Sequence, residues 1–257
     1  MEKLRAKKGF IIDMDGVVYH GNYLLPGALE FVTWLQENEK RYLFLTNSPE
    51  RSPRELSMKL ERMGMNVDES HFYTSALATA FFLQSQCPGG SVYAIGEPGL
   101  MNALYDAGFV MNDINPDYVV MGETRNYSYQ HIEKAVRLVL AGAKLIGTNP
   151  DLTGPGETGI MPACRSLIAP IERATGLSAY YVGKPNPMMM RGGLRLLGTT
   201  REETAIVGDR MDTDIIAGIE TDLDTCLVLS GVTSREDLRR FPYRPQYILP
   251  GVGDIPG

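Results

Sequence analysis

The feature that most restricts how this chain can fold is a repeated alternation of two periods. Short apolar runs of strand type occur at GFIID (9–13), YLFLTN (42–47), VYAIG (92–96), YVVMG (118–122), KLIGTN (144–149), YYVG (180–183), TAIVGD (204–209) and TCLVLS (225–230). Between them lie stretches with helical spacing of apolar residues, among them ALEFVTWLQENE (28–39), RELSMKLERMG (54–64), SYQHIEKAVRLVLAG (128–142) and PMMMRGGLRLLG (187–198). Strand and helix in alternation predict an α/β protein whose parallel, doubly wound, Rossmann-like sheet carries helices on both faces. In such sheets ligands bind outside the carboxyl ends of the strands, so the residues after each strand are the ones to read.

Those residues are polar. The first strand runs into Asp13-Met14-Asp15-Gly16, the second ends in Thr46-Asn47-Ser48, another leads to Gly183-Lys184-Pro185, and a fourth gives Gly208-Asp209 with Asp212 and Asp214 close behind. Two carboxylates as near as Asp13 and Asp15 disfavour each other's ionisation, a strain that a cation or a proton-sharing task turns to use. Taken alone, the same residues also suit a surface turn. The spacing of the clusters is uneven, because Thr46 and Lys184 stand far apart while the other neighbours are close. The gap holds three of the strand runs and predicts an inserted α/β domain. Its boundaries are expected near 79 and 180, with residues 1–78 and 180–257 as the core and 79–179 as the insert. A Pro/Gly-rich stretch at 147–162 within it reads as a long loop.

Bulk properties narrow the function. At 257 residues and 44% apolar content the chain can bury a sizeable core, and a net charge of −6 speaks against nucleic acid or an anionic membrane as partner. Cys87, Cys164 and Cys226 lack metal-like spacing and are odd in number, which fits a reducing cytoplasm. The apolar run after the basic start stops at Asp13, short of the ~7–15 residues of a signal peptide, and no stretch approaches the ~20 of a membrane span.

Taken in order, DMDGVVYHG, LFLTNS, VGKPNP and VGDRMDTDI resemble the motifs of the haloacid dehalogenase superfamily of phosphatases, in the large-capped subfamily IIA that holds the NagD-like and nitrophenyl phosphatases. The resemblance spans essentially the whole chain, insert included. It implies a Mg²⁺-dependent phosphatase acting on small phosphomonoesters such as nucleoside monophosphates, sugar phosphates or aryl phosphates. Asp13 would be the nucleophile and Asp15 the general acid and base. Asp13, the main-chain carbonyl of Asp15, and Asp209 would hold the metal, with Asp214 supporting that shell or pairing with Lys184. Thr46, the Asn47 backbone N–H and Lys184 would bind the phosphoryl group.

A phosphomonoester dianion repels a carboxylate nucleophile, so a cation and an ammonium at one site make chemical sense. A hard metal with few carboxylates suits Mg²⁺. In the insert, Asn149 and Asp151 open the Pro/Gly-rich stretch and are candidates to contact the leaving group, although an Asn-Pro turn accounts for the same residues. Asp212 fits a helix start, His20 a structural loop histidine, Trp34 the core, and Met188, Met189 and Met190 packing.

A metal-free dehalogenase of the same fold would leave Asp15 without a task. A phosphorylated receiver carries its reactive Asp mid-chain in about half this length. The remaining alternative is a catalytically weak protein of this fold with a binding or regulatory role. Dimers through the cap are common among the proteins this chain resembles, and its own oligomeric state stays open.

Overall fold

A computed structural model describes residues 1–156 and 159–256. The chain divides into two compact units: Met1–Thr46, Pro53–Tyr73 and Lys184–Gly257 form the first, and Asn47–Ser52 with Thr74–Gly183 the second. The division therefore falls at 73/74 and 183/184, a few residues outside the 79 and 180 expected from sequence. The side chain of Thr74 accepts a hydrogen bond from Leu77 N and so starts the Ser75–Gln86 helix, which joins the second unit whole. At the other end Gly183 N still donates to Thr148 O at 2.8 Å, continuing the ladder of the second unit's sheet. The small segment Asn47–Ser52 follows the second unit because the Pro98–Asp106 helix starts against it. Gly99 N donates to Glu50 O at 3.0 Å, and a Cβ on Gly99 would lie 2.6 Å from Pro49 O.

The first unit is built on a six-stranded sheet in the spatial order Tyr247–Leu249, Asp224–Val228, Thr204–Gly208, Gly9–Ile12, Arg41–Thr46, Phe72–Thr74. Gly9–Ile12 runs parallel to Thr204–Gly208 on one side and to Arg41–Thr46 on the other, with Ile12 opposite Val207 and Phe44. All four of its residues are buried, as expected of a central strand covered on both faces. The Ala28–Glu37 helix lays Ala28, Phe31, Val32 and Leu35 on one side, the i, i+3, i+4, i+7 pattern of a buried stripe. Its Phe31 meets Phe10 edge-on at 6.1 Å, and Trp34 packs against both rings. Burying a side chain of that size contributes about 1.5–3 kcal/mol.

The Pro187–Leu197 helix is set by its ends: Asn186 accepts from Met188 N, Pro187 opens the first turn, and Gly198 closes it with φ 68°. It buries Met189 and Met190, whereas Met188 stays half-buried. From Gly9–Ile12 the chain first adds strands on one side, then returns to add Thr204–Gly208 on the other. That reversal leaves a crevice at the strand ends, where ligands of open α/β sheets bind.

The second unit has its own parallel sheet, in the order Tyr180–Tyr181, Lys144–Gly147, Tyr118–Met121, Ser91–Ile95, Val110–Met111. Val119, Met121, Ala135, Val139, Ile168 and Ile171 form its core between sheet and helices. The Pro/Gly-rich stretch 147–162 is not loop throughout. Thr153–Gly156 and Gly159–Pro162 pair antiparallel, while Glu157 and Thr158 lie outside the described residues. Cys87, Cys164 and Cys226 are free thiols. No helix among the described residues is long and apolar enough to cross a membrane.

Candidate active site

The sequence DMD works through alternation. Met14 is wholly buried among core side chains, whereas Asp13 and Asp15 on either side of it are only partly buried. Asp13 N donates to Val207 O at 2.9 Å and extends the ladder by one residue, which fixes Asp13 beside the end of Thr204–Gly208, where Asp209 follows. The chain then turns sharply. Gly16 N donates to Tyr19 O at 2.8 Å with Gly16 at φ 80°, a left-handed conformation that glycine adopts at little cost.

Lys184 brings the acids together. The residue is 2% exposed, and its ammonium has acceptors at Asp13 Oδ1 (2.8 Å), Asp214 Oδ1 (2.6 Å) and Leu45 O (3.2 Å). Burial by itself would favour the neutral amine, but Asp13 and Asp214 outweigh it and hold the group charged. Asp214 sits in a single wide turn, Met211–Ile215, and its second oxygen accepts from Arg210 N at 3.1 Å. Gly208 is required beneath it, because a Cβ there would lie 2.3 Å from Asp214 Cβ.

Asp209 is 1% exposed; Oδ2 accepts from Val232 N at 2.7 Å, while Oδ1 is buried with no partner. Two glycines make room for this carboxylate: added Cβ atoms at Gly16 and Gly231 would lie 2.6 and 2.0 Å from Asp209 Oδ2.

Oxygens of Asp13, Asp209 and Asp214 lie within 4.8 Å of one another. Three carboxylates face one ammonium, so the cluster carries excess negative charge in a buried place. Burial, then the charges of Asp13 and Asp214, push Asp209 up to about 8. Burial and Asp13 push Asp214 up to about 6, against Lys184. A hard divalent cation matches this donor set, and the orphaned Asp209 Oδ1 is the atom that needs it most. Both Asp214 oxygens already have donors. Asp214 thus accepts from Lys184 and from the Arg210 backbone, and the partnerless carboxylate oxygen of the group is on Asp209.

Asp15 stands apart from that cluster with its side chain 41% exposed. Burial raises its pKa, while His20, whose Nδ1 lies 3.5 Å from Asp15 Oδ1, and Lys59 lower it. His20 is thus a neighbour of a candidate catalytic acid rather than a purely structural loop residue. Thr46 is half-buried at the end of its strand. Asp212 is outside the group, held through both oxygens by Arg210 at 3.1 and 3.0 Å in the first turn of Met211–Ile215.

The remaining sequence candidates meet in the second unit. Asn47 Nδ2 donates to Asp151 Oδ2 at 2.9 Å, and Asp151 N donates to Asn149 Oδ1 at 3.1 Å. Asn149, read from sequence as substrate-binding, is fully buried, and its Nδ2 donates to Asn47 O at 2.7 Å and to Glu123 Oε1 at 2.9 Å. Both the donor and the acceptor end of its amide are therefore engaged within this group of residues. Glu123 was not foreseen. Burial pushes its carboxyl up to about 7, against the Asn149 amide that lowers it. Glu123 lies two residues behind Tyr118–Met121, where the strand-end rule points in the insert as it does in the core, and the same rule behind Asp224–Val228 leads to Gly231.

Known proteins carry the same arrangement of strands. The description haloacid dehalogenase-like hydrolase matches residues 10–110, and HAD-hydrolase-like matches residues 181–255. The chain belongs to this family of hydrolases, in its NagD-like phosphatase branch. A dihydroxyacetone phosphatase of Corynebacterium glutamicum is 45% identical over 246 residues, 96% of this chain and 90% of the relative. The ribonucleotide monophosphatase NagD of Escherichia coli is 44% identical over 248 residues, 96% of this chain and 98% of its own. The crystal structure of a 4-nitrophenylphosphatase from Thermotoga maritima superposes with a TM-score of 0.95 at 34% identity, covering 99% of this chain and 98% of that one.

Proposed function

We propose that this phosphatase hydrolyses small phosphomonoesters with Mg²⁺ through an aspartyl-phosphate formed on Asp13. The observation that carries the reading is the cluster of Asp13, Asp209 and Asp214, with Lys184 bound to Asp13 and Asp214, whose negative charge exceeds its positive charge and whose Asp209 Oδ1 lacks a partner.

Asp13 is the nucleophile: one of its oxygens forms a bond to phosphorus as the bond from phosphorus to the leaving oxygen breaks. Asp15 gives its proton to that oxygen, so the alcohol departs neutral. Burial favours the protonated acid that this step needs. Asp15, now a carboxylate, takes a proton from water as the water oxygen attacks phosphorus. Asp13 is released and inorganic phosphate is the second product. Lys184, kept charged by Asp13 and Asp214, sets a fixed positive group beside the phosphoryl oxygens, and Thr46 donates its hydroxyl to them. Asp13, Asp209 and the main-chain carbonyl of Asp15 would hold Mg²⁺, which when bound neutralises the charge of the phosphoryl group.

Two relatives are named dihydroxyacetone phosphatase and ribonucleotide monophosphatase, and the leaving groups those names denote carry free hydroxyls. Small phosphomonoesters of that kind are the proposed substrates, with the second unit as the part that selects among them. The test is nitrophenyl phosphate hydrolysis by wild-type protein and by Asp13→Asn, with Mg²⁺ and with EDTA. Loss by orders of magnitude in the variant and in EDTA is expected. Activity retained within tenfold in either would exclude this mechanism.

A further inference from the structure

The second unit contains a polar lock that the chemistry above leaves unused. Glu123 follows Tyr118–Met121 and Asn149 follows Lys144–Gly147, which are adjacent parallel strands, so the two residues emerge side by side. Asn149 Nδ2 donates to Glu123 Oε1 at 2.9 Å and Oε2 at 3.2 Å. Glu123 Oε1 also accepts from Cys164 N at 3.3 Å, where the Cys164–Thr175 helix begins. The peptide oxygen of Asn47, which takes the same amide at 2.7 Å, can only accept, as can Glu123 in its ionised form. Together they oblige Asn149 to turn its NH₂ toward them and its oxygen toward Asp151 N, which it meets at 3.1 Å. Asp151 is then held at both ends, with Arg165 N donating to its carbonyl at 3.0 Å and Asn47 Nδ2 to its carboxylate at 2.9 Å.

We infer that Glu123 is a positioning residue for substrate selection: through Asn149 it fixes the Asp151 carboxylate as an acceptor for the hydroxyl groups of an uncharged, hydroxyl-bearing leaving group. The inference rests on the reading of the second unit as the selecting part. A leaving group with a further negative charge is disfavoured, because Glu123 and Asp151 together leave this region acidic. Nitrophenyl phosphate, which offers no hydroxyl donor, gains nothing from the arrangement.

The test compares kcat/KM for dihydroxyacetone phosphate and a ribonucleoside monophosphate with that for nitrophenyl phosphate, in Mg²⁺, on the full chain. The proteins are wild type, Glu123→Ala, Glu123→Gln, Asp151→Ala and the Glu123→Ala/Asp151→Ala double variant. Glu123→Ala lowers the ratio of hydroxylated to aryl substrate about tenfold, the worth of one or two weakened hydrogen bonds, chiefly through KM. Glu123→Gln, which keeps an acceptor for Asn149, restores most of it. In the Asp151→Ala background the Ala change at 123 adds nothing, because its effect passes through Asp151.

If Glu123→Ala does not fold, Glu123→Asp serves instead, since it draws the carboxylate back by one methylene. An unchanged ratio, a uniform loss on every substrate, or a persisting effect in the Asp151→Ala background overturns the inference while the selecting role of Asp151 stands. If Asp151→Ala leaves the ratio unmoved, the selecting role falls with it, and hydrolysis through Asp13 is judged separately by the Asp13→Asn comparison.

Discussion

The two units of this protein use the same device, acids placed after adjacent parallel strands, with opposite accounting of hydrogen bonds. In the first unit Asp13 and Asp214 share one buried ammonium, and Asp209 beside them leaves its Oδ1 without a partner. In the second, Glu123 accepts from Asn149 and Cys164 N, while Asp151 accepts from Asn47 and Arg165 N. An unsatisfied buried carboxylate is costly unless something arrives to satisfy it, whereas a satisfied one holds the backbone still. The contrast teaches where to look for chemistry and where for positioning: the first cluster is incomplete as protein, and the second is complete.

The strongest way to break this contrast is to remove the shared cation. Lys184→Met should lower kcat on nitrophenyl phosphate by about a thousandfold or more and cost about 3–5 kcal/mol in denaturant unfolding, because it leaves carboxylates buried without their partner. A variant of wild-type stability with activity within tenfold would show that the cluster is not held by charge. Next in size is Asp15→Asn, which separates proton transfer from nucleophilic attack. General acid assistance amounts to about 10²–10⁴-fold and matters most for a poor leaving group. The loss should therefore be far greater on an alkyl phosphate than on nitrophenyl phosphate, and equal losses on both would assign Asp15 to the fold or the metal.

A smaller effect tests the unsatisfied charge itself. The folded-state pKa values of Asp209, about 8, and Asp214, about 6, lie above the 3.8 of a free carboxyl. The folded protein thus retains protons that the unfolded chain has released, so without metal its stability falls as pH rises from about 4 toward about 8. Both acids contribute up to about pH 6 and Asp209 alone above it. Mg²⁺ at about 100 times its Kd should add about 2.7 kcal/mol and flatten the slope, since the cation replaces the proton. Melting temperatures at pH 5 and 8, in EDTA and in Mg²⁺, check this, and Asp209→Asn should erase both the upper slope and the Mg²⁺ shift.

Much of this was legible in the chain because strand ends in a parallel sheet converge whatever lies between them. Asp13 stands far in sequence from Lys184, Asp209 and Asp214, yet each follows or flanks an apolar run, and the sheet order brings them together. What sequence could not give is pairing. Nothing in GDRMDTDI distinguishes an Asp214 that binds metal from one that holds Lys184, since the choice depends on a turn whose partner is 30 residues away. The Ser75–Gln86 helix also escaped notice, because it buries Ser75, Ala76, Ala78, Thr79 and Ala80 rather than an apolar stripe, and with it the boundary at residue 74 was missed. The partners of Asn149 were hidden for the same reason: a buried amide and an exposed one are the same letter until their neighbours are known.

The last and smallest effect sharpens the contrast from the side of the second unit. If the lock around Asn149 is positional and complete, removing it should register first as stability and without regard to metal. Asn149→Ala deletes a wholly buried amide that serves Asn47 O, the Glu123 carboxylate and Asp151 N, and leaves each of those groups short of one partner. Leaving a buried group unsatisfied costs about 1–3 kcal/mol, and because water can enter to serve Glu123 and Asp151, which are half-buried, the lower part of that range is expected. The loss should be the same in EDTA and in Mg²⁺, unlike that of Lys184→Met, whose cluster includes the carboxylates that would take the cation. Denaturant unfolding of both variants in both conditions decides the matter. A Mg²⁺-dependent loss for Asn149→Ala would mean that the second cluster is coupled to the metal after all and that the division between chemistry and positioning does not hold.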